Sequence, residues 1–270
     1  MEENKSYINE EPAIKRIIPI IIYVLIIFLL AGLIMLLIAQ IYSNIKNIAY
    51  DDIIKTYNMS AADFKTLSPD LLKANAITQG YANLIGYLLA ALSIGYFVYK
   101  DFKEDFIKLK ENKKFYLWFI PVSTVLFVGI SYLVDYLVGL AAESSENQLQ
   151  IVNILENGGF VPMLISTVIL APLVEELVFR KCIFSLCGKK KIIFAYLLSI
   201  ILFVLPHMLS TKTDIGMWLL QSIPYLVSAI MFAVIYHLSK FNIYATMIAH
   251  ICNNILAIII VFAVGGVAIC

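Results

Sequence analysis

Long apolar runs, each followed by a short polar connection, dominate the pattern of hydrophobic and polar positions along the chain. A helix needs about 20 mostly apolar residues to cross a bilayer. Seven such runs occur, at residues 17–41, 81–99, 115–140, 160–186, 192–209, 215–238 and 243–264. The pattern therefore predicts an all-α fold, a polytopic integral membrane helix bundle with about seven transmembrane helices. The first run is longer than the roughly 7 to 15 residues of a secretory signal, so we interpret it as a retained span.

Lysine and arginine are unevenly distributed among the connections, and in membrane proteins they accumulate on the cytoplasmic side. With the N-terminus inside, the cytoplasmic segments hold most of them: Lys5, Lys15, Arg16, Lys100, Lys103, Lys108, Lys110, Lys113, Lys114, Lys189, Lys190, Lys191 and Lys240. On the other side, residues 141–158 contain neither lysine nor arginine, and residues 42–79 balance four lysines with four aspartates. We predict a cytoplasmic N-terminus and a C-terminus on the opposite side.

The composition agrees with a membrane location and excludes two classes of protein. Hydrophobic residues make up 61% of the chain and charged residues 14%, whereas soluble domains have about 45 to 50% and about 25%. A net charge of +1 gives no polycationic surface, so the lipid bilayer is an expected partner and nucleic acid is not. The four cysteines (Cys182, Cys187, Cys252 and Cys270) lie in or beside apolar runs, which argues against a disulfide framework.

Ionisable residues divide the chain into two parts. The charged segment 100–114, predicted to be a loop, lies within an N-terminal transmembrane region of three spans at residues 1–158. Those spans are nearly free of ionisable groups, with Asp135 near the outer end of the third. The last four spans, residues 159–270, hold two glutamates, one arginine and all three histidines. We therefore expect the functional site after residue 158.

The first polar group within a predicted span is formed by Glu175, Glu176 and Arg180. A charge near the bilayer centre costs at least about 2.5 to 3.5 kcal/mol, so such residues indicate function. Glu176 and Arg180 are four positions apart and share a helix face, which predicts an ion pair. Glu175 points about 100° away from Glu176 on an α-helix. The pattern predicts that Arg180 neutralises the Glu176 carboxylate and that the Glu175 carboxylate faces a different part of the protein.

Two further polar groups follow, at Phe203 with His207 and at His250 with Asn254. The members of each pair are four positions apart and share a face of their helix. Asn253 is expected to face elsewhere, in a packing role. At 1.5 Å per residue the three groups differ in depth by roughly 9 Å, so only tilted or locally broken helices would bring them together.

Two prolines provide such breaks, because Pro172 lies close to the first polar group and Pro206 directly precedes His207. Proline removes a helical hydrogen bond, which is tolerated at membrane depth where the backbone lines a cavity. We therefore predict that the three groups converge on one site. His237 lies at the end of its span beside Ser239 and Lys240, an interfacial position that needs no special role.

In this order, the three motifs resemble the CPBP family of intramembrane proteases, named for CAAX proteases and bacteriocin-processing proteins and also called the Abi family. The family pattern is Glu-Glu-x-x-x-Arg, then Phe-x-x-x-His, then His-x-x-x-Asn or Asp. This chain matches it at every motif position: Glu175, Glu176, Arg180, Phe203, His207, His250 and Asn254. The resemblance covers roughly residues 156–264 and implies an endopeptidase that cuts a membrane-associated peptide or protein.

The resemblance also implies roles for the motif residues. Glu175, helped by His207, would activate a water molecule. His250 and Asn254 would donate hydrogen bonds to the oxyanion of the tetrahedral intermediate. Supporting roles fall to the other three: Glu176 and Arg180 would hold the helix and aim Glu175, and Phe203 would pack beside His207.

Several alternatives stay open at this point. One carboxylate and two histidines are also the ligand set of catalytic zinc sites, so a metalloprotease using zinc held by Glu175, His207 and His250 is a second mechanism beside the cofactor-free one. Buried glutamate and histidine beside broken helices also occur in proton-coupled transporters. A non-enzymatic bacteriocin-immunity or scaffold protein is a further possibility. The lysine and isoleucine bias favours a bacterial cell membrane, where a bacteriocin leader or a membrane-anchored protein is a more plausible substrate than a prenylated one.

Overall fold

The computed structural model describes residues 12–188 and 191–263, and within them the chain forms nine α-helices and no strand. They are α1 (Ala13–Lys46), α2 (Tyr50–Thr56), α3 (Pro69–Glu111), α4 (Lys113–Gly139), α5 (Glu146–Glu156), α6 (Phe160–Cys187), α7 (Ile192–Met208), α8 (Ile215–Leu238) and α9 (Ile243–Ala263). Predictions for Lys5, Lys189, Lys190, Cys270 and the last residue of the seventh run, Val264, lie outside the described residues.

Six of these helices are long and apolar enough to cross a membrane, and α7 is a shorter apolar helix of 17 residues. All seven coincide with the predicted runs, so the all-α polytopic bundle is confirmed. Of the most apolar window of α1 only 6% is buried, against 56% for α6. Exposed apolar side chains of α1 such as Leu33 suit contact with lipid tails. We therefore place α1 at the periphery and α6 at the centre of the bundle.

The predicted loop at residues 100–114 is wrong. Helix α3 continues to Glu111 and α4 begins at Lys113, so Asn112 alone separates them. The charged residues extend the helix beyond the apolar run because they find partners along it and across the bundle, as when Lys108 Nζ lies 3.1 Å from Asp105 Oδ1. Hydropathy predicts where the apolar run ends, at residue 99, but α3 continues beyond it to Glu111.

Buried ion pairs join several helices at one end of the bundle, which we call the basic end. Arg16 donates two hydrogen bonds to Asp101, at 2.7 and 2.8 Å, and links α1 to α3. Lys181 of α6 donates to Asp105 at 2.7 Å, and the backbone N–H of Ile243 at the start of α9 donates to the same carboxylate at 3.2 Å. These contacts hold α1, α3, α6 and α9 together on the side that the lysine distribution predicts to be cytoplasmic.

The opposite end of the bundle carries α5, a helix that the hydropathy pattern does not predict. Ser145 caps α5 by accepting the N–H of Gln148 at 3.3 Å, a Ser-x-x-Gln pattern typical of helix starts. A tight turn then leads into α6. A side chain at Gly159 would place its Cβ 2.6 Å from the carbonyl oxygen of Ala76, so only glycine allows this close approach of the turn to α3.

Helix α6 is not a regular α-helix along its whole length. It contains π-helical turns at Ser166–Leu170 and Glu176–Cys182, on both sides of the α-helical stretch Ala171–Glu175 that includes Pro172. Such π turns change the angular spacing of side chains and are frequent at functional sites. The local break expected at Pro172 therefore takes the form of two π turns.

Candidate active site

A cavity of about 400 Å³ lies within the bundle, and all four predicted catalytic residues line it: Glu175, His207, His250 and Asn254. They come from three helices, α6, α7 and α9. The three motifs therefore line one cavity although straight helices would place them at different depths. The cavity also has room for water and part of a peptide. The irregular turns of α6 and the proline of α7 accompany this convergence.

Glu175 is a carboxylate in the cavity wall, and its side chain is almost completely buried. Its Oε1 accepts a hydrogen bond of 2.9 Å from the phenol of Tyr87 on α3, and its Oε2 lies 4.0 Å from His250 Nε2. The carboxylate is thus held from two sides, while it remains part of the cavity wall. A water molecule in the cavity could approach it directly.

His250 is held in place through Nδ1, the ring nitrogen that does not face Glu175. Its Nδ1 lies 3.0 Å from Glu176 Oε1, and its ring stacks on Phe232 with centroids 4.3 Å apart. Because an ionised carboxylate can only accept, Nδ1 donates in this contact and Nε2 faces Glu175. His250 therefore lies between the two glutamates of the first motif, a contact that the spacing of the motifs did not reveal.

Glu176 also forms the ion pair that the sequence predicts. Arg180 Nε lies 3.3 Å from Glu176 Oε2, and both side chains are completely buried. The guanidinium also donates to the carbonyl oxygen of Ala229 at 3.2 Å and lies 4.7 Å from the centre of the Phe203 ring. Arg180 thus compensates the buried charge of Glu176 and fixes α6 against α7 and α8.

His207 contacts its own helix rather than the glutamates. Its Nδ1 donates to the carbonyl oxygen of Phe203 at 2.8 Å, and its ring stacks on Phe203 with centroids 4.9 Å apart. Tyr225 covers the ring at 4.8 Å. In the neutral imidazole this leaves Nε2 as the nitrogen that can accept a proton. Phe203 lies beside His207, where the family resemblance places it.

Asn254 is held by an irregular turn of α6. Its Nδ2 donates to the carbonyl oxygen of Thr167 at 2.8 Å. A side-chain amide has two N–H groups, so one fixes the amide and the second can serve a ligand. Asn253, which was expected to face elsewhere, also lines the cavity and lies 3.5 Å from Asn254 Oδ1. The prediction for Asn253 is wrong because all of this face of α9 borders the open space.

His237 lies apart from the cavity. Its Nδ1 is 2.9 Å from the hydroxyl of Tyr196 in an exposed contact near the end of α8, as expected of an interfacial histidine. The third histidine of the chain therefore has a local partner and takes no part in the cavity wall.

The N-terminal region contributes to the site, which sequence reasoning missed. Tyr87 and Asp135 line the cavity, together with Gln79 and Asn83 of α3 and residues of α5. The signal was present in the sequence, because Gln79, Asn83 and Tyr87 follow one another at four-residue spacing and so share a helix face. The expectation that function lies only after residue 158 is therefore incomplete.

A shared metal site was one of the alternatives. Among the residues that the structure describes, no three or more His, Cys, Asp or Glu side chains are grouped so as to hold a metal ion. Glu175, His207 and His250 line the same cavity, and the bond of His207 Nδ1 to the backbone of α7 leaves Nε2 available, as in a metal ligand. The three side chains are nevertheless not grouped as one ligand set, so we derive no step through a metal.

The described residues thus form a bundle of membrane-length helices with glutamate, histidine and asparagine around one cavity. Residues 157–256 match the family model described as type II CAAX prenyl endopeptidase Rce1-like. The matched segment contains all seven motif residues, and it confirms the resemblance to the CPBP proteases over that part of the chain. Neither the comparison with curated proteins nor the comparison with solved structures gave a match.

Proposed function

We propose that the protein is an intramembrane endopeptidase that hydrolyses a peptide bond of a membrane-associated protein or peptide. The observation that carries the proposal is the convergence of Glu175, His207, His250 and Asn254 on one buried cavity. The family match over residues 157–256 supports the same reaction class, because the family is named for an endopeptidase. The membrane location follows from the apolar helices.

In the proposed reaction Glu175 is the general base. A water oxygen forms a bond to the carbonyl carbon of the peptide while one water proton passes to the Glu175 carboxylate. The hydrogen bond from Tyr87 orients that carboxylate, and His207 offers Nε2 as a second acceptor for the water. No side chain forms a covalent intermediate.

His250 and Asn254 would stabilise the oxyanion. Asn254 has one N–H free of its contact with Thr167, and His250 can donate from Nε2 when its ring is protonated. The Glu176 carboxylate at Nδ1 orients the ring for that contact. Each donor of this kind contributes about 3 to 4 kcal/mol in other proteases. The C–N bond then breaks as Glu175 returns its proton to the leaving nitrogen.

The decisive experiment uses the full chain in proteoliposomes with a pool of membrane-associated peptides, and detects new termini by mass spectrometry. Wild-type protein should cleave, and Glu175→Gln should be slower by about 10²- to 10⁴-fold, the contribution of a general base. Glu156→Gln, an exposed carboxylate of α5, is the matched control and should cleave like wild type. If Glu175→Gln and His250→Ala are inserted normally and keep full biological activity, the protease hypothesis fails.

The rival functions give different results in the same preparation. A proton-coupled transporter would move protons across the liposome membrane, detectable with an internal pH dye, without producing new peptide termini. An immunity protein or scaffold would bind its partner with neither signal. Proton flux or binding that survives without cleavage would therefore replace the protease assignment.

The zinc-dependent version through Glu175, His207 and His250 is tested by chelation. Hydrolysis that persists after exhaustive treatment with a chelator supports the metal-free glutamate mechanism. Hydrolysis that disappears with the chelator and returns on addition of zinc contradicts it.

A further inference from the structure

Asp135 on α4 is a buried carboxylate that no partner among the described residues neutralises. Only 8% of the residue is exposed, and it lines the cavity. Within residues 12–188 and 191–263 its carboxylate has no hydrogen bond or ion pair. The two buried aspartates of α3 each have a cation, since Asp101 pairs with Arg16 and Asp105 with Lys181.

The neighbourhood of Asp135 shows the same lack of partners. Ser131 Oγ and Tyr132 Oη are buried and make no hydrogen bond within the described chain. Both residues line the cavity with Asp135, and Ser131 lies one helical turn before it, on the same face. One carboxylate and two hydroxyl groups of α4 therefore lack partners among the described residues in the wall of the candidate active site.

Burying an unpaired charge or an unsatisfied hydroxyl is costly, so a ligand that supplies the missing contacts would bind strongly there. An ammonium group has three N–H donors and no acceptor, and a guanidinium has five. Either one matches a carboxylate and two hydroxyl groups, whose oxygen atoms can all accept.

The charge of the cavity points to the same ligand. The described lining residues include no lysine or arginine, and Glu175 and Asp135 are its two carboxylates. A substrate carboxylate would be repelled by both in this poorly solvated space. A cation is attracted by both, and it can reach Asp135 from the cavity without displacing an existing ion pair.

We propose that Asp135, with Ser131 and Tyr132, forms a subsite for a cationic side chain of the substrate, a lysine or arginine close to the scissile bond. This inference rests on the proposed endopeptidase function and adds the substrate class to it. Asp135 selects and positions the peptide, whereas Glu175 carries out the chemistry.

The first test compares cleavage specificity with a randomised peptide library and mass spectrometry. Wild-type protein should enrich lysine and arginine at one fixed position relative to the cut. Asp135→Asn should still cleave neutral peptides but lose that preference, with kcat/KM for the lysine peptides falling about ten- to hundredfold, the effect of one charge-assisted hydrogen bond. Asp135→Lys should shift the preference towards aspartate and glutamate.

Two variants show whether the effect belongs to Asp135. Glu143→Gln changes an exposed acid outside the cavity wall and should leave the lysine and arginine preference intact. Asp135→Glu keeps the charge and should preserve the preference in large part. A wild-type library profile without lysine or arginine enrichment, or an unchanged profile in Asp135→Asn, would overturn the proposal.

A binding measurement separates this proposal from the proposed function. n-Butylammonium should raise the thermal unfolding temperature of Glu175→Gln protein more than n-butanol does, and the difference should vanish when Asp135→Asn is added. If no peptide is cleaved but this Asp135-dependent shift occurs, the endopeptidase function fails while the cation subsite stands. If peptides are cleaved but the two probes act alike, the subsite is refuted and the endopeptidase function survives.

Discussion

His250 Nδ1 lies 3.0 Å from Glu176 Oε1, so the second glutamate of the first motif binds the histidine of the third. The same carboxylate faces Arg180 through its other oxygen at 3.3 Å. Glu176 therefore has two functions that can be separated by mutation. It provides the counter-charge that a buried arginine needs, and it orients the His250 ring that would face the oxyanion.

Glu176→Gln should affect both stability and hydrolysis. It leaves Arg180 buried without a counter-charge, which costs about 3 to 5 kcal/mol of unfolding free energy. Adding Arg180→Met removes the uncompensated cation, so the double variant should recover much of the stability and still hydrolyse poorly. Thermal unfolding in detergent and peptide hydrolysis measure the two effects. Recovery of both in the double variant would show that Glu176 acts on stability alone.

Tyr87→Phe removes the hydrogen bond to Glu175 and leaves the ring in place. A hydrogen bond to a charged group contributes about 1.5 to 3 kcal/mol, so we expect kcat to fall about ten- to hundredfold with little change in KM. Tyr81→Phe, on the exposed side of the same helix, is the matched control. Equal kinetics for the two variants would exclude Tyr87 from orienting the base.

Asn254→Ala removes a proposed oxyanion donor. Because such a donor acts mainly in the transition state, kcat should fall about 10²- to 10³-fold while KM changes little. Steady-state kinetics with one defined peptide measure kcat. Binding of the same peptide to the inactive Glu175→Gln/Asn254→Ala protein measures the affinity for the substrate. A variant with normal kcat and weakened binding would assign Asn254 to substrate binding instead.

The side of the membrane that the cavity faces follows from the basic end. Tyr87 lies about 21 Å along α3 from Asp101, and α5 borders the cavity at the end opposite Arg16. With lysine and arginine on the cytoplasmic side, the α5 end of the cavity should face the outside.

Labelling of single cysteines checks that orientation. In a chain whose four cysteines are replaced, Glu156→Cys should react with a membrane-impermeant maleimide in intact cells. Asn112→Cys, between α3 and α4, should react only after the membrane is opened. The reverse pattern would place the α5 end of the cavity in the cytoplasm.

Hydropathy alone predicted all seven apolar helices, because lipid imposes a length and a composition on each span. It failed at residues 100–114, since the end of an apolar run does not end a helix whose charged residues find partners such as Arg16 and Lys181. Helix α5 was missed for a different reason. It is short and polar, and its start is marked only by the Ser145 cap.

The motif residues of the site were visible as ionisable or amide groups within apolar runs. Their contacts were less predictable. The pair of Glu176 with Arg180 follows from helix spacing, whereas the contact of Glu176 with His250 joins residues 74 positions apart across two packed helices. Tyr87 approaches Glu175 over 88 positions, and only the tertiary structure shows that Asp135 faces the same cavity.

Single-turnover hydrolysis in water enriched in oxygen-18 tests the central claim, that Glu175 activates water for attack on a peptide bond, most directly. Wild-type protein should place one heavy oxygen in the new carboxylate for each bond cut. Glu175→Gln should form the same product at least about a hundredfold more slowly. Cleavage by Glu175→Gln at the wild-type rate would contradict the account.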